Sequence, residues 1–232
     1  MSDSQKLVLV LAPHPDDETF GCGGTLRMLS ESGILVDVAF LTRGELGQEA
    51  GMGASLEVRQ ETAERRMREA QAACQVLGIR NVLFLDGADS RLADQPHLAL
   101  SIANLLARGG YQRVFCPWQH DTHEDHRATF ALMKQAVTMQ GGAALSAGAQ
   151  APALQFWLYE VWKPLPANTF VPIDRTLDAK RRAIEQYESQ LAQLNYREGF
   201  LGLSAYRSLF CPSSKYAEAF LVCDRQELLQ LN

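Results

Sequence analysis

Short apolar runs, each stopped by a polar or glycine-rich stretch, recur along the first 116 residues: Leu7–Leu11 (LVLVL), Ile34–Leu41 (ILVDVAFL), Asn81–Leu85 (NVLFL) and Arg113–Cys116 (RVFC). Runs of this length, rich in Val and Leu, read as strands buried on both faces. Between and after them the period changes to a helical one. Thr25–Ser32 follows the glycines Gly21, Gly23 and Gly24 as an amphipathic segment. Leu56–Leu77 carries Ala63, Met67, Ala70, Cys74 and Leu77 near helical spacing and stops at Gly78. His97–Leu106 ends at Gly109-Gly110, and Ala128–Met139 is a further helix. A parallel pair needs a crossover connection, so this alternation predicts an α/β fold: a Rossmann-like three-layer sandwich with a mostly parallel sheet. Beyond residue 140 the rhythm differs. Gly141–Pro152 is low in complexity and reads as a mobile connection. Strands are then expected at Leu154–Val161, Thr169–Ile173 and Ala219–Val222, and a helix at Arg175–Leu191. No internal repeat is present, and residues 1–232 read as a single domain with two parts, 1–140 and 153–232.

Composition narrows the class. With 47% hydrophobic and 21% charged residues the chain is an ordinary globular protein. Its formal net charge of −5 suggests no general affinity for nucleic acid or anionic membranes. Cys22, Cys74, Cys116, Cys211 and Cys223 are odd in number and show no CxxC spacing, which fits reduced thiols and a cytoplasmic location. The start MSDSQK lacks an apolar signal region, and no apolar run approaches the roughly 18 residues of a membrane span. No GxGxxG follows the first strand, so a dinucleotide site is not expected.

Chemistry concentrates at strand ends. Ala12-Pro13 closes the first run, and His14, Asp16, Asp17 and Glu18 follow at once. In open α/β sheets ligands bind at the carboxyl ends of strands. Acidic capping of a helix explains one Asp but not His14 with proline on both sides. After the fourth run comes Pro117–His126, with His120, His123 and His126 spaced three apart. Two imidazoles and one carboxylate with an open position suit catalytic zinc, and the same set fits non-haem Fe(II). Asp16 and Asp17 are adjacent on a turn and cannot easily point the same way. One suits a metal ligand and the other a general base facing water. A serine hydrolase is not supported, because no Ser lies in a Gly-x-Ser-x-Gly elbow. A non-catalytic α/β protein holding Mg²⁺ or Ca²⁺ is the rival reading, and the imidazoles argue against it.

The stretch Ala12-Pro13-His14-Pro15-Asp16-Asp17-Glu18 resembles the signature of the PIG-L/LmbE-like zinc N-deacetylases. His123-Glu124-Asp125-His126-Arg127 resembles the second motif of that family, with Glu124 where proline is common. The resemblance implies a hydrolase acting on a non-peptide C–N bond of a linear amide, one that deacetylates an N-acetylated amino sugar or glycoconjugate. It leaves open a deacylase of another small metabolite, such as a thiol-sugar conjugate. Carried over, His14, Asp17 and His126 bind Zn²⁺, with Fe²⁺ as an alternative. Asp16 is the base, a protonated His123 stabilises the oxyanion and is available to protonate the leaving amine, and Asp125 orients an imidazole. Arg59 and Asp89 would contact substrate hydroxyls. His120 has no place in the pattern, and Arg43 is either a substrate contact or the partner of Glu45. Trp157–Trp162, Lys180, Tyr187–Leu191 and Ala217–Phe220 also resemble the family and would shape the substrate rim. The expected partner is a small molecule, and self-association is left open.

Overall fold

A computed structural model describes residues 6–47, 51, 53–140 and 154–231. The apolar runs become β1 (Leu7–Ala12), β2 (Leu35–Thr42), β3 (Asn81–Gly87), β4 (Arg113–Pro117), β5 (Gln155–Tyr159), β6 (Thr169–Pro172) and β7 (Ala217–Cys223). They form one seven-stranded sheet in the order β3-β2-β1-β4-β5-β7-β6. The first five in that order are parallel, while β7 runs antiparallel to both β5 and β6. The helices are α1 (Asp17–Glu31), α2 (Leu56–Leu77), α3 (His97–Gly109), α4 (Glu124–Gln140), α5 (Leu177–Ile184), α6 (Glu188–Leu191), α7 (Tyr196–Arg207) and α8 (Arg225–Gln230). Alternation along β1 divides the core. Val8, Val10 and Ala12 join a cluster with α1, α2, α5 and α7, whereas Leu9 and Leu11 join one with α3 and α4. The layers are therefore helix, sheet, helix. Strand order reverses direction at β1, between β2 and β4, which makes the carboxyl ends of β1 and β4 the switch-point crevice.

Several expected elements shift. Helix α1 starts at Asp17, not Thr25, so the three glycines lie inside it. Gly21 and Gly24 are there for packing. A Cβ on Gly21 would stand 2.3 Å from Cδ2 of Tyr159, a fully buried ring, and one on Gly24 would stand 2.8 Å from Ile173. Gly21→Ala should therefore destabilise the fold by about 1–3 kcal/mol through overpacking, despite alanine's better helix propensity. A denaturant midpoint equal to or above that of the parent would refute this close-approach role. The helix expected over 175–191 is broken into α5 and α6, and α7 and α8 add to the expected set. Gly199 and Gly202 weaken the local signal for α7. Helix α8 begins with a capping box, Asp224 and Glu227, a readable start in a short segment. The connection expected at 141–152 lies outside the described residues. No helix among the described residues is long and apolar enough to cross a membrane.

One charge buried in β2 ties three elements together. The Asp37 carboxylate accepts from Arg80 Nε at 2.8 Å, Asn81 Nδ2 at 3.0 Å and Tyr111 Oη at 2.8 Å. Burial alone would raise its pKa, but the hydrogen bonds from Arg80 and Tyr111 outweigh it and hold the carboxyl below its ordinary value. The unfolded chain thus takes up the proton first. This contribution is complete above the unfolded value near about 4 and is lost as pH falls through the lower folded value. In urea melts across that acid range Asp37→Asn should flatten the loss of stability. A variant profile parallel to the parent's would show that Asp37 does not carry it.

Candidate active site

At the end of β1 the chain turns through Pro13-His14-Pro15 into α1. Asp16 occupies the turn with φ 138° and ψ −30°, a left-handed conformation that costs a non-glycine residue about 1–3 kcal/mol. The local bonds hold it there. Its carbonyl accepts from Thr19 N and Phe20 N at 3.0 and 2.9 Å, and its own N–H donates to Glu18 Oε2 at 3.2 Å. Glu18 is wholly buried and accepts from Thr19 Oγ1 at 2.5 Å and Tyr187 Oη at 2.6 Å. Burial pushes Glu18 up to about 7 even against those two bonds. The last acidic residue of the first motif is a structural clamp on Asp16.

Asp17 lies between two imidazoles. Its Oδ2 is 3.2 Å from His14 Nδ1 and its Oδ1 is 3.2 Å from His126 Nε2. Asp17 thus meets the two imidazoles through different oxygens, and one ring nitrogen from each of His14, His123 and His126 can be chosen so that these three lie within 4.8 Å of one another. His126 is fully buried, with its Nδ1 also 3.5 Å from Asp121 Oδ1. Neither ring nitrogen of His126 is aligned for a hydrogen bond. A buried imidazole in that state, with a carboxylate oxygen beside it, fits a cation. Donors about 2.0–2.2 Å from one tetrahedral ion stand roughly 3.3–3.6 Å apart, close to the spacings seen. The donor set of nitrogen and oxygen suits zinc or Fe(II) alike.

A second acidic set meets the other edge of His14. Its Nε2 lies 3.0 Å from Asp125 Oδ2 and 3.3 Å from Asp89 Oδ1. Asp125 also accepts the N–H groups of Ser90 and Leu92 at 2.7 and 3.1 Å, which fixes its orientation. Burial would lower the His14 pKa, but Asp125, Asp17 and Asp89 together hold it well above the ordinary value. Burial likewise opposes ionisation of Asp17, and the nearby charge of His126 overcomes it, holding Asp17 low.

The two residues expected to act on substrate have contrasting surroundings. Burial raises the Asp16 carboxyl, Arg66 opposes that rise and Asp17 adds to it, and the net direction is upward. Arg66 Nη2 donates to Asp16 Oδ2 at 2.9 Å and to the Pro15 carbonyl at 2.8 Å, so the carboxylate is aimed as well as tuned. Burial and the neighbouring His14 and His126 lower the His123 pKa. Its Nδ1 accepts the Asp125 N–H at 3.1 Å, which assigns the ring hydrogen of a neutral imidazole to Nε2. The geometry favours a neutral donor over the protonated one expected from the sequence.

His14, Asp16, Asp17, Asp89, His123 and Arg66 line one cavity of about 190 Å³. Asp125 and His126 stand behind it. Arg59, also expected to meet substrate, is not among the lining residues; Arg66, two turns further along α2, is. Leu56 and Val58 leave the first turn of α2 exposed to solvent, while Arg66 is buried and bonds the Pro15 carbonyl and Asp16 in the turn after β1. Seven residues are nearly two helical turns, so periodicity alone does not distinguish the two. His120 is exposed, edge-on to Trp118 at 5.0 Å, away from the cluster. Arg43 pairs with Asp86 at 2.6 Å and not with Glu45, whose carboxylate accepts the Asp89 N–H at 2.8 Å. Sequence reasoning misses Asp121, although it sits two residues before His123. It accepts from His123 N at 2.9 Å and Trp162 N at 3.0 Å while facing His126. Gln190 and Tyr196 of the C-terminal part also reach the cavity; Gln190 falls in the Tyr187–Leu191 stretch expected at the rim, whereas nothing in the local pattern marks Tyr196.

Relatives share this frame. Diacetylchitobiose deacetylase of Thermococcus kodakarensis is 32% identical over 197 residues, covering 81% of this chain and 71% of that protein. The crystal structure of a conserved protein from Thermus thermophilus, TT1542, has a TM-score of 0.77 at 30% identity, covering 92% of this chain and 93% of that one. GalB, the 4-carboxy-2-hydroxymuconate hydratase from Pseudomonas putida, also has a TM-score of 0.77, at 21% identity and with 94% and 96% covered. That last likeness speaks for the fold alone. The family described as PIG-L, GlcNAc-PI de-N-acetylase, matches residues 9–137, the span from β1 to the end of α4 that holds both histidine motifs. This match takes in more than half of the sequence, and the chain belongs to the PIG-L/LmbE-like family.

Proposed function

We infer that the protein is a metal-dependent N-deacetylase that hydrolyses the acetamide of an N-acetylated amino sugar or a conjugate of one. The observation that carries this reading is the placement of Asp17 between His14 and His126, with Asp16 and His123 facing the same cavity. His14, Asp17 and His126 would hold the ion. A divalent cation bound there supplies Lewis acidity towards water and the acyl carbonyl. Asp16, raised by burial and aimed by Arg66, takes a proton from the attacking water. His123 donates its Nε2 hydrogen to the carbonyl oxygen as negative charge develops there. Asp16 then returns the proton to the departing nitrogen, the C–N bond breaks, and the amine leaves neutral with acetic acid, whose carboxyl proton passes to Asp16 and solvent to leave acetate. Asp125 holds His14 and, through its N–H, the tautomer of His123. Asp89 and Arg66 face the space left for sugar hydroxyls. The part spanning 153–232 supplies the rim through Trp162, Gln190 and Tyr196.

The side chains of the cavity favour this reading over a GalB-like hydration. Among the described residues lining it, Arg66 is the one guanidinium, already engaged with Asp16, and there is no lysine, so a dicarboxylate finds no uncommitted Arg or Lys to pair its second carboxylate. The test is release of acetate and primary amine from a panel of N-acetylglucosamine derivatives by metal-reconstituted protein. Hydration of an unsaturated dicarboxylate with no amine released would overturn the proposal.

A further inference from the structure

The catalytic cavity continues into a second one. Trp162 and Tyr196 line both the cavity and an adjoining groove of about 300 Å³. Leu194, Phe200 and Leu203 wall that groove, and Asn195 adds the one amide side chain to it. Trp162 is 44% exposed and Leu194 49%, a concentration of apolar surface beside a polar site. The surface is pre-built. The backbone N–H of Trp162 donates to Asp121 Oδ2, and Asp121 Oδ1 accepts from His123 N, so the main chain at Trp162 is fastened to the turn that carries His123. Tyr196 and Phe200 stack on Phe20 of α1 at 5.3 and 4.3 Å, and Trp162 stands edge-on to both at 5.6 and 5.9 Å. Rigid aromatic walls of this kind bind apolar groups at little cost in conformational entropy.

Depth decides which end of a substrate reaches the groove. Asp17 and His126 are buried, so the scissile acyl group must enter inward. The groove opens at the exposed rim, where the opposite end of the substrate emerges. Resting on the deacetylase reading above, we propose that the groove between Trp162 and Leu194 is a subsite for an apolar aglycone, aryl or alkyl, carried by the amino sugar. A second pyranose would bring several hydroxyls to a wall whose only amide is that of Asn195, and unmatched hydroxyls are costly to desolvate.

The test compares methyl and phenyl N-acetyl-β-D-glucosaminides with N,N′-diacetylchitobiose on metal-reconstituted protein. The phenyl glycoside should exceed the methyl by about 5–30-fold in kcat/KM, as burial of one ring predicts, with the disaccharide near the methyl value. Leu194→Ser and Leu203→Ser should each bring the phenyl-to-methyl ratio towards unity. Calorimetric affinities for the two amine products, phenyl and methyl glucosaminide, should show the same preference without turnover. Equal values for phenyl and methyl, a preference unaltered in both variants, or a disaccharide favoured over phenyl would overturn the subsite. Turnover of none of the three would overturn the deacetylase reading instead, and the product affinities would then decide the subsite alone.

Discussion

Asp16→Asn should retain its metal and lose most turnover, by about 10²–10⁴-fold, the usual consequence of removing a positioned general base. The substitution keeps shape and keeps an oxygen for Arg66, whose guanidinium also bonds the carbonyls of Pro15 and Gly44 at 2.8 and 3.2 Å. The strained turn is likewise preserved, because Asn tolerates positive φ nearly as well as Asp. What disappears is a carboxylate able to take and return a proton. Metal analysis and kcat measured on the same preparation check this together. If Asp16→Asn loses its metal while Asp17→Asn keeps it, the two aspartates have exchanged roles. A variant with near-parental turnover would remove Asp16 from the chemistry altogether.

Much of the frame was legible for a simple reason. Buried parallel strands must be apolar on both faces, and β1, β2 and β4 announce themselves as such runs; β3 reads alike but lies half-buried at the sheet edge. The turn after β1 was legible because His14, Asp16 and Asp17 are costly to gather beside a buried strand unless they act together. Other features depend on what meets across the fold. Glycines usually end helices or form turns, so Gly21, Gly23 and Gly24 suggested a late start to α1. For Gly21 and Gly24 the actual reason is the close approach of Tyr159 and Ile173, from segments more than 130 residues away. Arg66 and Arg59 lie on one helix nearly two turns apart, and only the level at which α2 meets the sheet places Arg66 on Asp16. The contact of Asp89 with His14 depends in the same way on how the turn after β3 folds over β1. The buried pair Lys180–Glu218, 2.7 Å apart, seats α1 rather than substrate, since Glu218 also accepts the N–H groups of Gly24 and Thr25.

His126→Ala should abolish stoichiometric metal binding and, with it, detectable activity. Removing the imidazole takes away a neutral donor and leaves Asp17 Oδ1 without its 3.2 Å neighbour. A three-ligand catalytic site does not survive loss of one ligand with useful affinity. The core should tolerate the change better than the site does. His126 has no aligned hydrogen bond to lose, although its cavity will cost some stability. The measurement is metal content after chelation, reconstitution and gel filtration, alongside a denaturation curve to show that the variant is folded. Full stoichiometry in folded His126→Ala would overturn the assignment. It would point to His14 with Asp89 and Asp125, a set whose ligand atoms lie within 4.8 Å of one another and which does not use His126. Asp89→Asn then separates the two arrangements. It should spare the metal if Asp17 and His126 hold the ion, and release it if the ion sits on the far edge of His14.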